Sequence, residues 1–189
     1  PGVPQAPARS RTAGRELRMA GIAAIGAAVP EHAVANEAIG ERVGVDGDWI
    51  ASRTGVHERR VAAPDATLTE LAADATQLAL ERAAGIAPSD IDLVLVATST
   101  PDEIVPNAAP LVAERIGAER AGAIDIGAAC TGFVSALDIA AATVESGRAE
   151  VVLTIGAELM SRVIDYDDKR TAGLFGDGAG AAIVVPGGA

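Results

Sequence analysis

The sequence predicts an α/β fold in which helices pack against a largely parallel sheet. Predominantly apolar runs of strand length, such as residues 91–97 and 151–155, alternate with longer helical patterns. Such runs are typical of strands covered on both faces, and their alternation with helices is typical of layered α/β folds. Hydrophobic residues make up 49% of the chain but aromatic residues only 2%. We therefore expect a core of Ala, Val, Ile and Leu, which suits helices packed closely on a sheet.

The predicted strands are short runs of small and branched apolar residues bounded by glycine, proline or polar segments. They are residues 21–29, 91–97, 123–126, 151–155 and 179–185. Pro30 ends the first run, and Gly122 and Gly127 bound the third. We interpret residues 123–126 as a buried strand, like the strand at residues 151–155.

The predicted helices show apolar residues at helical spacing after recognisable first residues. They are residues 36–43, residues 46–52, the segment from Thr67 to Gly85, residues 106–116 and residues 133–142. Asp46 or Asp48 is the expected N-cap of the second helix, and Thr67-Leu68-Thr69-Glu70 is a capping box that opens the third. The apolar face of the third helix is predicted from Leu71, Ala75, Leu78, Ala79 and Arg82. Residues 161–173 are polar and are expected to form a loop.

Charge and composition exclude several classes of function. The net charge is −11, and residues 1–18 contribute +3 from four arginines and one glutamate, which leaves −14 for the remainder. A body this acidic is a poor nucleic-acid binder. Residues 1–18 are rich in Arg, Pro and Ala without periodicity, so we expect a disordered extension that is not a secretory signal. The sequence contains no apolar run long enough to predict a membrane span.

The cysteine and histidine content predicts neither a disulfide framework nor a metal site. One cysteine cannot form an internal disulfide, which agrees with a reducing cytoplasm. The two histidines, His32 and His57, are not clustered with it and are expected at the surface. The segment Gly176-Asp177-Gly178-Ala179-Gly180 lacks the Lys-Ser/Thr and the spacing of a nucleotide loop, so we interpret it as a tight turn with close backbone approach.

The single cysteine, Cys130, lies between a predicted strand and a predicted helix. The segment Gly127-Ala128-Ala129-Cys130-Thr131-Gly132 places it in or just before the first helical turn. Free backbone N–H groups and the positive end of the helix dipole favour the thiolate there, and the thiolate is the nucleophilic form. Most free cysteines are small core residues instead, so these residues alone leave both roles open.

Four segments of the chain resemble the β-ketoacyl-acyl-carrier-protein synthase III (ketosynthase III) family, in the family's order. They are Trp49-Ile50-Ala51-Ser52-Arg53-Thr54-Gly55-Val56 with Glu58-Arg59-Arg60, Val96-Ala97-Thr98-Ser99, Ala128-Ala129-Cys130-Thr131-Gly132-Phe133, and Phe175-Gly176-Asp177-Gly178-Ala179-Gly180-Ala181. The resemblance covers residues 21–185 but only the first half of the family's usual length. It implies that residues 19–189 are the N-terminal half, a βαβαβ-type layered sheet with helices, of a five-layer α-β-α-β-α thiolase-like sandwich whose C-terminal half is absent.

The resemblance also implies a site for CoA. In the family, the tryptophan that matches Trp49 stacks on the adenine of CoA, and the arginine that matches Arg53 reaches its phosphates. These two residues are four apart and would share one helix face. Lys169 matches a position where several members have an arginine on the opposite adenine face. Lysine cannot form that planar stack, so the neighbouring Arg170 is the candidate substitute.

The acyl site is implied in the same way. Cys130 matches the nucleophile that attacks an acyl-CoA thioester, and its own N–H would supply one oxyanion-hole donor. Val105, Met160 and Phe175 match positions of the acyl pocket. At the position of Val105, some members have a bulky aromatic residue that reaches across a homodimer and closes the partner's acyl tunnel. We therefore expect tolerance of primers longer or bulkier than acetyl.

The implied activity is the initiating condensation of fatty-acid or polyketide synthesis. An acyl group from acyl-CoA, a substrate rather than a resident cofactor, would join a malonyl unit on an acyl carrier protein. The His and Asn that assist decarboxylation come from the family's second half, so we expect a need for that half or for a partner chain. Glu58-Arg59-Arg60 is one candidate patch for the acidic carrier. Two alternatives remain open: an acyltransferase of the same fold without condensation, and a non-catalytic partner subunit.

Overall fold

The structure is a computed structural model that describes residues 18–187. The expected extension, residues 1–18, lies outside this range except for Arg18. The strands are β1 (Ala20–Ala28), β2 (Ala33–Ala35), β3 (Glu58–Arg60), β4 (Leu93–Ala97), β5 (Gly122–Ile126), β6 (Val152–Leu159) and β7 (Asp177–Pro186). The helices are α1 (Asn36–Val43), α2 (Gly47–Thr54), α3 (Leu68–Arg82), α4 (Ala108–Ile116) and α5 (Gly132–Glu145).

Five strands form a mixed sheet in the order β1-β7-β6-β4-β5. The central strand β4 pairs in parallel with β5 and β6, whereas β7 is antiparallel to both β6 and β1. Thus β7 runs against the other four strands of this sheet, and the expectation of a largely parallel sheet is confirmed. A separate two-stranded sheet pairs β2 with β3.

Helices cover both faces of the sheet and give an α-β-α arrangement. On one face, Val94, Val96, Leu153, Ile155 and Ile183 pack with residues of α3 and α4. On the other face, Leu95, Val152 and Val184 pack with Ala136, Ala140 and Val144 of α5. Adjacent strand residues therefore point to opposite cores, as the two-residue period of a strand requires.

The capping box of α3 is confirmed, but the predicted apolar face was only partly right. The Thr67 side chain accepts from the Glu70 N–H, and the Glu70 carboxylate accepts from the Thr67 N–H. The buried residues of α3 include Ala72, Ala75, Thr76 and Ala79, whereas Leu71 and Leu78 are half-buried and Arg82 is exposed. Small residues face the sheet because β1 approaches closely: a Cβ on Gly26 would lie 2.2 Å from the Ala75 carbonyl oxygen.

The expectation of a buried strand at residues 123–126 was wrong. β5 lies at the edge of the sheet, with β4 as its neighbour. Ile124 is 51% exposed, and the other residues of β5 are exposed or half-buried. The apolar run correctly indicated a strand, but its place in the sheet depends on the order of strands that are distant in sequence.

A small module lies beside the main sheet. We call β2, β3, α1, α2 and residues 165–173 the side module; its core is formed by Ile39, Ile50 and Ala172. Trp49 and Tyr166 pack against this core. The Asp46 carboxylate accepts from the Trp49 N–H at 2.6 Å, so Asp46 is the N-cap of α2.

None of the helices within residues 18–187 is long and apolar enough to cross a membrane.

Candidate active site

The segment between β5 and α5 forms a tight elbow that carries Cys130. Residues Ala129–Thr131 form a single 3-10 turn, and α5 begins at Gly132. Ala129 has a φ of +46°, the only positive φ of a non-glycine residue within residues 18–187. Such left-handed backbone costs about 1–3 kcal/mol outside glycine. Gly132 allows the elbow to lie against β4, because a Cβ there would be 3.0 Å from the Ala97 Cβ.

Cys130 is exposed and free at this elbow. The Thr131 hydroxyl turns back and donates to the Ala128 carbonyl at 2.9 Å. It makes no capping hydrogen bond to α5, and no other side chain of the described residues caps that first turn. The N–H groups at the start of a helix favour negative charge, whether on a thiolate or on an oxyanion. The position predicted for Cys130 at the start of the helix is confirmed, whereas its role as nucleophile stays a prediction.

The predicted acyl-pocket residues are not enclosed within residues 18–187. Val105 is 81% exposed and Phe175 is 37% exposed, while Met160 is half-buried. Because the described residues do not enclose these three side chains, their assignment to an acyl pocket stays a prediction.

The loop that carries Val105 is anchored at both ends by carboxylates. Asp102 accepts from the Leu68 and Thr69 N–H groups, at 2.7 and 2.9 Å, at the start of α3. Asp125 in β5 accepts from the Ala108 and Ala109 N–H groups, at 3.0 and 2.7 Å, at the start of α4. Our sequence analysis missed both aspartates. For Asp125 a signal was present, since it is an acid between two isoleucines in an apolar strand.

Asp177 joins the segments that hold Met160 and Phe175. Its buried carboxylate accepts from the Ser161 N–H at 2.8 Å, the Ser161 hydroxyl at 2.6 Å and the Ala62 N–H at 2.7 Å. The preceding Gly176 lies so close to β3 that a Cβ would be 2.9 Å from the Arg60 carbonyl oxygen. The prediction of close backbone approach in this glycine-rich segment is therefore confirmed, whereas the predicted tight turn was wrong, because residues 177–180 belong to strand β7.

All four residues predicted to contact CoA line one cleft in the side module. The cleft has a volume of about 230 Å³ and is lined by Trp49, Ile50, Arg53, Thr54, Lys169, Arg170, Gly173 and Leu174. One wall is α2, and the other is the segment from Lys169 to Leu174. A larger cavity of about 930 Å³, lined in part by His32, Asp74 and Arg115, includes none of the predicted site residues.

The cations of the cleft differ in their partners. The Arg53 guanidinium lies over the Trp49 ring, 4.1 Å from its centroid, and donates to the Trp49 carbonyl oxygen at 3.3 Å. Arg170 pairs with Asp168 at 2.7 Å although its side chain is 83% exposed. Hydrogen bonds from the Arg170 side chain and backbone lower the pKa of Asp168 from its ordinary value to about 2. Within the described part of the chain, Lys169 takes part in none of the salt bridges.

Residues 58–60 were predicted as a candidate docking patch for the acidic carrier. For Arg59 this prediction was wrong, because Arg59 is only 4% exposed. Its guanidinium points inward, and burial lowers its pKa from the ordinary value. Arg60 is half-buried and pairs with Glu58 at 3.3 Å. Both histidines, His32 and His57, are exposed, as expected.

The layered fold and the cysteine elbow between a strand and a helix define the class: a thiolase-like α/β protein. Residues 124–189 match the family model of 3-oxoacyl-[acyl-carrier-protein (ACP)] synthase III. The chain belongs to this family, since curated members are 45% identical to it over most of its length.

Individual relatives support this assignment. The β-ketoacyl-[acyl-carrier-protein] synthase III of Xanthomonas euvesicatoria pv. vesicatoria (strain 85-10) is 45% identical over 163 residues, covering 86% of this chain and 50% of that protein. The crystal structure of 3-oxoacyl-[acyl-carrier-protein] synthase III from Aquifex aeolicus VF5 matches with a TM-score of 0.85 and 41% identity, over 88% of this chain and 53% of its own. The priming β-ketosynthase of the R1128 polyketide biosynthetic pathway matches with a TM-score of 0.88 and 40% identity, over 95% and 53%. The chain thus spans about half the length of the relatives it matches.

Proposed function

We propose that this chain carries the acyl-CoA-binding and acyl-accepting part of a β-ketoacyl-acyl-carrier-protein synthase III-type condensing enzyme. One observation carries the proposal: a single cleft gathers Trp49, Arg53, Lys169 and Arg170, while the same chain exposes Cys130 at the start of α5. The relatives, which include a priming ketosynthase of a polyketide pathway, support an initiating condensation in fatty-acid or polyketide synthesis.

The first chemical step is acyl transfer to Cys130. The Cys130 thiolate attacks the thioester carbonyl of acyl-CoA, and a new carbon–sulfur bond forms while the carbonyl oxygen becomes an oxyanion. Backbone N–H groups at the elbow stabilise that oxyanion. When the intermediate collapses, the bond to the CoA sulfur breaks, and CoA leaves with the proton that Cys130 released.

The second step joins the acyl group to malonyl-acyl-carrier protein with loss of carbon dioxide. Because Cys130, Val105 and Phe175 are exposed, the acyl pocket needs further protein surface. We assign that surface, and the groups that polarise the malonyl thioester, to the second half of the family architecture or to a partner chain. The acylated chain alone is therefore expected not to condense.

A homodimer formed through β5 is part of the proposal. Edge strands present unpaired backbone groups, and β5 is an edge with 51% of Ile124 exposed. On the adjacent helix α5, Val134 is 68% exposed and Ile139 is 39% exposed. A second copy would cover part of this apolar surface. One free, exposed cysteine suits a reducing compartment, so we place the protein in the cytoplasm.

Intact-mass spectrometry tests the acyl-transfer step. The chain is incubated with acyl-CoAs of increasing length beside a Cys130→Ala variant, whose substitution at an exposed site should leave the circular dichroism spectrum unchanged. We expect one acyl mass on the wild type and none on the variant. Wild-type protein that stays unacylated, although iodoacetamide alkylates Cys130, would contradict acyl transfer by this chain. Acylation of the variant would place the acceptor elsewhere.

A further inference from the structure

The side module contains a buried arginine that is held by neutral oxygens. Arg59 donates from Nη1 to the Val34 carbonyl at 3.0 Å, and from Nη2 to the Asn36 Oδ1 at 2.6 Å and the Gly173 carbonyl at 3.1 Å. None of its partners among the described residues is a carboxylate. A buried charge is stabilised only by well-placed acceptors, so these three oxygens are held in place around the guanidinium.

Asn36 links Arg59 to further backbone groups through its amide nitrogen. It is 3% exposed, and its Nδ2 donates to the Val56 carbonyl at 2.7 Å and the Gly47 carbonyl at 3.3 Å. Its side chain therefore uses both the oxygen and the nitrogen of its amide. Arg59 and Asn36 form one continuous polar pair inside the module, and we call this pair the polar strut.

The polar strut contacts both walls of the CoA cleft. Gly47 is the first residue of α2, the helix that carries Trp49 and Arg53, and Val56 follows the end of that helix. Gly173 belongs to the opposite wall, in the segment that begins with Lys169. The two walls are more than a hundred residues apart in sequence, and the polar strut is a direct hydrogen-bonded connection between them.

Packing shows that the walls are held close together at one end. A Cβ on Gly173 would lie 2.8 Å from the Ile50 Cγ2, so the backbone of one wall approaches the side chain of the other without intervening space. The Arg59 guanidinium donates to the carbonyl of the same Gly173 from the interior of the side module. The Asn36 bonds fix the start of α2 and the residue beyond its end. The walls are thus held together both by the packing of Ile50 against Gly173 and by Arg59 and Asn36, which do not line the cleft.

We propose that Arg59 and Asn36 are positioning residues for CoA, which hold the two walls of the cleft at the separation that its adenine nucleotide requires. This inference rests on the proposed function, because it assumes that the cleft is the CoA site. Neither Arg59 nor Asn36 lines the cleft, and none of the hydrogen-bond partners of their side chains belongs to the elbow. Removal of the polar strut should therefore weaken CoA binding and leave the reactivity of Cys130 unchanged.

Two variants remove different hydrogen bonds of the polar strut. Arg59→Lys keeps the positive charge but cannot reach three acceptors with a planar fork. Asn36→Asp keeps the acceptor for Arg59 but replaces the amide donor that binds the Gly47 and Val56 carbonyls. Arg60→Lys is the matched control, since Arg60 is adjacent, half-buried and bonded to the Pro30 and Glu31 carbonyls, away from the cleft.

Trp49 supplies the readout, because it is the only tryptophan in the chain. Its fluorescence is titrated with CoA, and the alkylation rate of Cys130 by iodoacetamide and the melting temperature are measured for each variant. We expect CoA affinity to fall about tenfold in Arg59→Lys and in Asn36→Asp, with an unchanged alkylation rate and no change in Arg60→Lys.

Three results would overturn the inference, and they are distinguishable. Wild-type affinity in both variants would show that the polar strut does not set the cleft. If the variants bound CoA more weakly, melted at a lower temperature and also reacted with iodoacetamide at an altered rate, the polar strut would have a general structural role. If the wild type itself did not bind CoA, the assignment of the cleft would fail, and the inference would fail with it.

Discussion

The two parts of the candidate site are built in opposite ways. The proposed CoA cleft has both walls within the described residues, a half-buried tryptophan and a buried polar strut beneath it. The Cys130 elbow has a strained turn, an exposed cysteine and a neighbouring loop whose Val105 is 81% exposed. One part is a cleft with two formed walls, whereas the other is an exposed thiol that the described residues do not enclose.

Under the proposed function, this difference separates two tasks. Recognition of the nucleotide end of acyl-CoA would depend on cleft residues that are already in place. Selection of the acyl end would need more surface than residues 18–187 place around Val105 and Phe175. Binding and chemistry should therefore respond separately to substitution, and the predictions below test that separation.

The largest effect is expected for Arg53→Ala in the cleft. This variant removes an exposed guanidinium stacked on Trp49, and a lost charge-assisted contact to a phosphate should weaken CoA binding about tenfold. Calorimetric titration is the suitable measurement, because the substitution changes the environment of Trp49 itself. The alkylation rate of Cys130 should stay at the wild-type value.

Arg115→Ala is the matched control for Arg53→Ala. It removes the same charge from α4, where Arg115 is exposed and pairs with Glu70 at 3.1 Å. An equal loss of affinity in both variants would show a general effect of net charge. A change in the Cys130 alkylation rate of Arg53→Ala would show that cleft and elbow are coupled.

An intermediate effect is expected at Ala129, the strained residue of the elbow. A β-branched side chain at positive φ is more strongly disfavoured than alanine, so Ala129→Val should lower the free energy of unfolding by about 1 kcal/mol. Ala129→Gly should be at least as stable as the wild type, because glycine adopts this φ without strain. Urea denaturation measures both, and CoA affinity should not change. A valine variant as stable as the wild type would show that the turn is not strained.

The smallest effect is expected for Val105→Phe. Because the side chain is exposed, the free energy of unfolding should change by no more than about 0.5 kcal/mol. If the loop contributes to an acyl pocket, a larger ring should shift competition between acetyl-CoA and butyryl-CoA about threefold toward acetyl. The shift is measured as the ratio of acetylated to butyrylated protein by intact-mass spectrometry.

Ile104→Phe is the control for that shift, since Ile104 is the adjacent residue and is 85% exposed. The same shift in both variants, or none in Val105→Phe, would remove Val105 from the proposed acyl pocket.

Local patterns in the sequence predicted the elements of the fold well. The capping box at Thr67, the N-cap at Asp46 and the elbow at Cys130 depend on neighbouring residues, and all three are present in the structure. The gathering of Trp49, Arg53 and Lys169 in one cleft followed from the family resemblance rather than from spacing alone.

Features that depend on distant partners were not predictable in this way. Arg59 looked like a surface charge because its acceptor on Gly173 is 114 residues away. The exposure of β5 follows from strand order, and no pattern within residues 123–126 encodes that order. The anchoring role of Asp125 depends on where α4 begins relative to β5 in space.

The anchored loop at residues 102–107 has a consequence for how the protein can change over time. Asp102 and the α4 contact of Asp125 fix the ends of the loop, while Glu103, Ile104 and Val105 at its tip are exposed. Most substitutions in a folded protein lower its stability, but exposed positions away from such anchors are close to neutral. New side chains at this tip therefore require no compensating changes in the core, so the tip is free to vary by drift.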